Sequence, residues 1–378
     1  MSDTYPTVRL AAAQVAPVFL DREATIAKAC DIIREAGANG ADLVAFPEGY
    51  VPAHPLWFHF HPATSPTSSA MSIELVNNAV VVPSPETDAL CAAARAASCM
   101  VVIGICEKTA SSMGTLYNSQ LVIGRDGAIL GCRRKIVPTV GERIVHTPGA
   151  GDSVRVFPTE FGSVSGLMCG ENSNPLLTYS MQALGARVHV ASWPSFFNRS
   201  VDMQAIADVA GRSIAYQNSC FVVNTIGAVS PEMEERLPAS DEDRAHIREA
   251  AGRGGSAIYA PGGRVLAGPL GGGEDILYAE ADIGRIVPRK IVHDYAGDYN
   301  RFDIFQLAVN VTPAAPSIRV GAARQEPDAN PTWLLIDGGP LRQLSGEMAP
   351  ALEPGSAPTG DGERSSSPSP EAPSGRGE

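Results

Sequence analysis

The sequence predicts an α/β fold of mixed β-sheets covered by helices, and three observations carry that expectation. Short apolar, β-branched runs alternate with stretches whose apolar residues recur at helical spacing. Turn sequences such as Arg125-Asp126-Gly127 and Pro261-Gly262-Gly263 join pairs of runs into hairpins, which adds antiparallel pairing to the parallel pairing of helix-linked strands. The 378 residues, 44% of them hydrophobic, are ample for a large buried core.

The elements follow in order. Residues 8–14 form a first strand, and Asp21 caps a helix to about Gly37 in which Ile26, Cys30 and Ile33 share one face. Residues 42–46 form a short buried strand ended by Pro47, and a loop rich in Pro, His and aromatics follows over 50–66. Pro85 and Glu86 open a second helix to about Ser98, ahead of a strand over 100–106. A hairpin spans 117–133, and residues 163–169 form a strand. Asn174-Pro175 opens a helix that Gly185 closes, a strand occupies 187–192, and a helix from about 201 to 216 leads into a strand over 220–226. A second hairpin covers 256–268. Residues 232–253 are charge-rich and read as an exposed loop or helix face, while Gly271-Gly272-Gly273 lacks the strand-to-helix setting of a phosphate loop and reads as a connection. No repeat of fixed period is present. From about Gly339 the composition shifts to Pro, Ser, Gly, Glu and Ala. Such a segment cannot bury enough apolar surface to offset its ordering entropy, so a disordered tail is expected over 346–378, with an extension over 311–345 between it and the main body, 1–310.

Composition excludes several function classes. A formal net charge of -12 repels phosphate backbones and anionic membrane surfaces, so nucleic acid and membrane are not expected partners. No stretch reaches the roughly 18 apolar residues of a membrane helix. Residues 1–17 read as a first strand, not a signal peptide, and the seven dispersed cysteines lack paired spacing, so reduced thiols in a cytoplasmic protein are expected.

Three reactive residues follow strand ends: Glu48 after 42–46, Lys135 after 128–133, and Cys169 after 163–168. The carboxyl ends of strands form the rims on which α/β sites are built. A thiol that attacks carbon must become a thiolate, the charge pushed onto the substrate needs a fixed cation, and protons need a shuttle. A thiol, an ammonium and a carboxylate meet those needs. Lysine is rare here: four of the 29 basic residues, Lys28, Lys108, Lys135 and Lys290.

Alone, Cys169 would read as a core thiol, Glu48 as a loop cap, and Lys135 beside Arg133 and Arg134 as a solvated basic turn. The blocks around them reverse that reading. Phe46-Pro47-Glu48, the run Arg134-Lys135-Ile136-Val137-Pro138-Thr139-Val140-Gly141-Glu142-Arg143, and Cys169-Gly170-Glu171-Asn172 resemble, in order and separation, the three catalytic blocks of the nitrilase family of carbon–nitrogen hydrolases. Trp193-Pro194, Gly255-Ser256 and the run from Asp298 to Asp303 resemble further landmarks, and the similarity covers about 6–310.

The resemblance implies a four-layer α-β-β-α sandwich and a homo-oligomer, a dimer or larger spiral. It implies Glu48 as general base, Lys135 as stabiliser of tetrahedral intermediates, Cys169 as nucleophile, and Glu142 as the second glutamate orienting lysine and substrate. The implied substrate is a small-molecule nitrile, converted to acid and ammonia with no metal or organic cofactor. Glu171-Asn172 resembles the nitrile-cleaving branch. An amidase using the same residues, or a hydratase stopping at the amide, are the alternatives, and a non-enzymatic scaffold would have lost one of Glu48, Lys135 and Cys169. Three positions depart from the family pattern: Gly170 where Trp is frequent, Asp298 where His is frequent, and Gln217 where Glu is common. His54, His59 and His61 are expected to line a pocket and not to bind metal, and Trp57 and Trp193 are expected as substrate-binding walls.

Overall fold

The computed structural model describes residues 5–313 and, by themselves, two short strands, Trp333–Leu334 and Arg342–Gln343, that pair antiparallel. The expected tail over 346–378 and most of the extension over 311–345 lie outside the described residues.

The first sheet has six strands: β1 (Thr7–Gln14), β2 (Leu43–Ala45), β3 (Met100–Lys108), β4 (Leu116–Ile123), β5 (Ile129–Arg134) and β11 (Asp275–Asp282). Their order is β11-β1-β2-β3-β4-β5. The second has five: β6 (Ser163–Met168), β7 (Ala186–Trp193), β8 (Phe221–Ile226), β9 (Ala257–Ala260) and β10 (Arg264–Ala267), in the order β10-β9-β8-β7-β6. Parallel pairs are those linked through helices, β1·β2, β2·β3, β6·β7 and β7·β8, and the two predicted hairpins supply antiparallel pairs. Both sheets are mixed, as expected.

Side chains alternate across each strand and so divide the core into layers. Leu10, Ala12, Leu43 and Val102 of the first sheet pack with Val188, Val190, Phe221 and Val223 of the second. Ala11, Ala13, Val44 and Val101 face the other way, onto helices α1 (Arg22–Ala38) and α3 (Pro85–Ala97) through Ile26, Ile33, Leu90 and Ala94. On the outer face of the second sheet, Ala191 and Val222 pack with Ala207 and Ile214 of α5 (Met203–Gln217), and Leu167 packs with Leu177 and Met181 of α4 (Pro175–Ala183). The result is the α-β-β-α sandwich.

Helix starts obey local rules. Asp21 accepts the Ala24 N–H, Ser84 and Thr87 make a reciprocal box ahead of α3, and Asn174 caps α4 with proline behind it. Gly37 was expected to stop α1, but the helix continues to Ala38 and Asn39 is its C-cap. The glycine serves packing instead: a Cβ there would lie 2.6 Å from that of Ala97 on α3.

Several elements exceed the sequence reading. Helix α2 (Pro66–Asn78), capped by Ser65, follows the aromatic loop. The charged stretch forms two helices, α6 (Pro231–Arg236) and α7 (Asp241–Arg253), and α8 (Ile286–Val292) follows β11. β11 has acidic residues at both ends and few buried positions, so it carries weak strand signal, yet it pairs along the whole of β1. Among the described residues no helix is long and apolar enough to cross a membrane.

Candidate active site

β5 and β6 are edge strands, one in each sheet, and both end in site residues: Lys135 directly follows β5 and Cys169 directly follows β6. Glu48 lies just past β2. Its loop runs over Gly104 of β3, where an added Cβ would sit 2.2 Å from the Pro47 carbonyl oxygen. The loop is pinned to the second sheet as well: Glu48 N–H donates to Trp193 O (3.2 Å), and Ser192 Oγ donates to Phe46 O (3.0 Å) while accepting from Gln120 Nε2 (3.0 Å). Glu142 stands in the 3₁₀ turn Val140–Ile144.

These residues converge in a buried cluster. Lys135 Nζ donates to Glu48 Oε1 at 2.6 Å and to Glu142 Oε2 at 2.8 Å, with all three side chains almost wholly excluded from solvent. Asn118 Nδ2 donates to Glu48 Oε1 (2.7 Å) and, more weakly, to Glu142 Oε1 (3.4 Å). Glu48 Oε2 is buried with no hydrogen-bond partner among the described residues. His54 Nε2 lies 3.6 Å and His146 Nδ1 3.9 Å from the Glu142 carboxylate.

Burial and charge set the protonation states. Burial, with the Glu142 charge added, pushes the Glu48 carboxyl up to about 7 against the opposing pull of Lys135 and Asn118. Burial also works to raise Glu142, but the Lys135 ammonium outweighs it and holds that carboxyl below its usual range. For Lys135 burial opposes the charge, and the two carboxylates overcome it and keep the ammonium protonated. Burial first, then Glu48, pushes the Cys169 thiol up to about 12, while Lys135 pulls it down. At rest the sulfur therefore holds its proton, and a partly ionised carboxylate and a fixed cation act on it electrostatically. Burial lowers His54 to about 3 and His146 to about 4, so both rings are neutral.

Cys169 has φ +47°, a left-handed conformation disfavoured for a residue with a Cβ. The turn that follows ties the two edge strands together. Glu171 Oε1 accepts from Arg133 (2.7 Å) and from Ile136 N–H (2.8 Å), either side of Lys135, and Oε2 accepts from Met168 N–H (3.1 Å), just before Cys169. Both charged side chains of this pair are buried.

Ligand atoms of Glu48, His54 and Glu142 fall within 4.8 Å of one another, but the cation between the two carboxylates is the Lys135 ammonium. His59 packs against Phe197 with ring centres 4.2 Å apart and planes tilted by 51°, and His61 Nε2 donates to Leu237 O (3.0 Å), so the three histidines serve separate ends. Trp193 is fully buried in the same apolar cluster as Cys169, with Nε1 donating to Asn224 Oδ1 (2.5 Å). Trp57 is fully buried in a different cluster, with Phe19, Leu56, Met71 and Phe196. Asp298 and Tyr299 lie in a turn beyond α8, and Tyr299 is exposed.

Asn118, His146 and Arg133 were not singled out from sequence as members of the site, and His54 was expected only as part of a pocket-lining loop. The signal at hand was polarity inside strands: Asn118 opens the polar run Asn118-Ser119-Gln120 in β4, and Arg133 is buried in β5.

Comparison with known proteins agrees with this architecture. The sequence model of the family described as Carbon-nitrogen hydrolase matches residues 9–290. The chain is 36% identical over 308 residues to Nitrilase 2 of an unknown prokaryotic organism, covering 80% of this chain and 92% of that one. It is 34% identical over 334 residues to an arylacetonitrilase of Aspergillus kawachii (84% and 98% covered) and 36% over 319 residues to an aliphatic nitrilase of Rhodococcus rhodochrous (82% and 84%). Among solved structures, Nit3 of Saccharomyces cerevisiae superposes with TM-score 0.59 at 20% identity (75% of this chain, 93% of that one). The C. elegans NitFhit protein gives 0.62 at 18% (83% and 70%). By fold and by sequence along most of its length, the chain belongs to the carbon–nitrogen hydrolase family.

Proposed function

We propose that this protein is a nitrilase that hydrolyses an organic nitrile to the carboxylic acid and ammonia. The observation that carries the reading is the ammonium of Lys135 held between two buried carboxylates, within electrostatic reach of the Cys169 thiol. Relatives named nitrilase across most of the chain support the nitrile as substrate.

The chemistry follows from the protonation states. Glu48, with a carboxyl balanced near neutrality and an unpaired oxygen, takes the thiol proton as sulfur bonds to the nitrile carbon. That proton passes to the nitrile nitrogen and gives a thioimidate. Glu48 then deprotonates water, which adds to the same carbon, and the charge of the tetrahedral intermediate is stabilised by Lys135. The nitrogen leaves protonated as ammonia, and a thioester remains. A second water, activated by the same carboxylate, cleaves it to the acid and restores the thiol. Glu142 stays ionised and fixes the lysine throughout. Trp193, beside Cys169, is the better supported pocket wall; Trp57 is assigned a wall only through its neighbour Phe58, which packs on Gly141 next to Glu142.

The catalytic domain is assigned to 1–310. Self-association is supported by Leu176 on α4 and Ile206 and Val209 on α5, exposed apolar residues, the latter two lining a groove of about 520 Å³ between those helices. Seven free, dispersed cysteines support a cytoplasmic setting.

The test is product analysis with aliphatic, aromatic and arylacetonitriles and the matching amides. Ammonia and acid from a nitrile are expected. Reaction with amides alone would replace the reading by an amidase, and accumulation of amide from nitrile by a hydratase.

A further inference from the structure

Asn172, which closes the cysteine block, takes no part in the steps above, yet it is buried against the nucleophile's own backbone. Its Nδ2 donates to Cys169 O at 3.1 Å, and its Oδ1 lies 2.9 Å from Nε2 of His189 on β7. The other ring nitrogen, Nδ1, lies 2.8 Å from Oγ of Ser165 on β6. All three side chains are almost wholly buried.

The directions of these bonds are forced. The Asn172 amide gives its N–H to the Cys169 carbonyl, so its oxygen faces the imidazole, and His189 must donate from Nε2. Nδ1 is then bare and accepts from the Ser165 hydroxyl. Burial, with the Arg133 charge adding to it, holds His189 down to about 3, which matches a neutral ring with one bare nitrogen. The chain of bonds begins on β6 at Ser165 and returns to the residue that follows β6, Cys169. It therefore braces the bend at which the backbone leaves the strand and turns left-handed.

We propose that Ser165, His189 and Asn172 form a rigid strut that fixes the Cys169 backbone and so aims its thiol. They are positioning residues and touch no reacting atom. The proposal rests on Cys169 being the nucleophile.

Three variants and one spectrum test it. His189→Leu breaks the strut, and kcat should fall about tenfold or more, with KM changed less than about twofold, because misplacement of the attacking atom penalises the chemical step. Alkylation of Cys169 by iodoacetamide, mapped by mass spectrometry, should slow in parallel. His189→Gln, whose amide can still donate to Asn172 Oδ1, should recover kcat to within about threefold of the parent. Asn172→Asp, which has no N–H to give the Cys169 carbonyl, should fall at least as far as His189→Leu. Nitrogen NMR of the parent protein should show His189 neutral and protonated at Nε2 alone between about pH 6 and 8. Parent values of kcat and alkylation rate in both His189→Leu and Asn172→Asp would overturn the strut. A proton on Nδ1 would overturn it too, even where a variant failed to fold. Alkylation of Cys169 that left turnover intact would instead refute the nucleophile on which the proposal rests.

Discussion

Replacing Lys135 with methionine keeps the length and apolar stem of the side chain and removes the ammonium that separates Glu48 from Glu142. Both carboxylates are buried, and each is bonded to that ammonium, at 2.6 and 2.8 Å. Removing one partner of a buried ion pair costs about 3–5 kcal/mol, because the remaining charge is left uncompensated. Here two charges of one sign remain, joined only through Asn118. An unfolding entropy of about 2.1 cal/mol/K per residue over roughly 300 residues turns that cost into a fall in Tm of about 5–8 °C. The penalty must depend on pH. Without the cation, burial and mutual repulsion raise the folded-state pKa of this carboxylate pair above the unfolded value of about 4.3. Stability is then retained at low pH, where the acids are neutral, and lost as pH rises through the raised values. Melting curves of parent and variant at about pH 5 and pH 8 provide the assay. The gap between them should be small at the lower pH and full at the higher, with turnover absent at both. A gap independent of pH, or a variant as stable as the parent at pH 8, would refute the electrostatic account of the cluster.

The acidic limb of kcat/KM should lie near pH 7, since the base must be ionised and burial pushes the Glu48 carboxyl up to about 7; a profile flat down to about pH 5 would contradict its role. Cys169→Ala should melt like the parent and release no ammonia from any nitrile, because alanine bears the same left-handed backbone and lacks only the sulfur. Gly104→Ala places a carbon 2.2 Å from the Pro47 carbonyl oxygen, so the Glu48 loop must shift. A stability loss of about 1–3 kcal/mol with a disproportionate loss of kcat is expected by denaturation and steady-state kinetics.

Strand and helix positions were legible in the sequence where the physics is local. The periodicity of α1, the helix openings at Asp21, Pro85 and Asn174, and the hairpin turns each depend on residues within a few positions of one another. β11 was not legible, because its stability comes from pairing with β1, more than 250 residues away, and not from its own apolar content. The sequence by itself also nominated Glu48, Lys135 and Cys169 through their residue types at strand ends, and the resemblance of the contiguous blocks around them added Glu142. Only the tertiary structure decided how those groups are charged. The carboxyl of Glu48 stands near neutrality while that of Glu142 is held ionised, and the difference comes from the balance of desolvation against the Lys135 ammonium and the Asn118 amide, which arrive on separate elements. Electrostatic energy depends on distance in space and on exclusion of water, and neither is written in the order of residues along a chain.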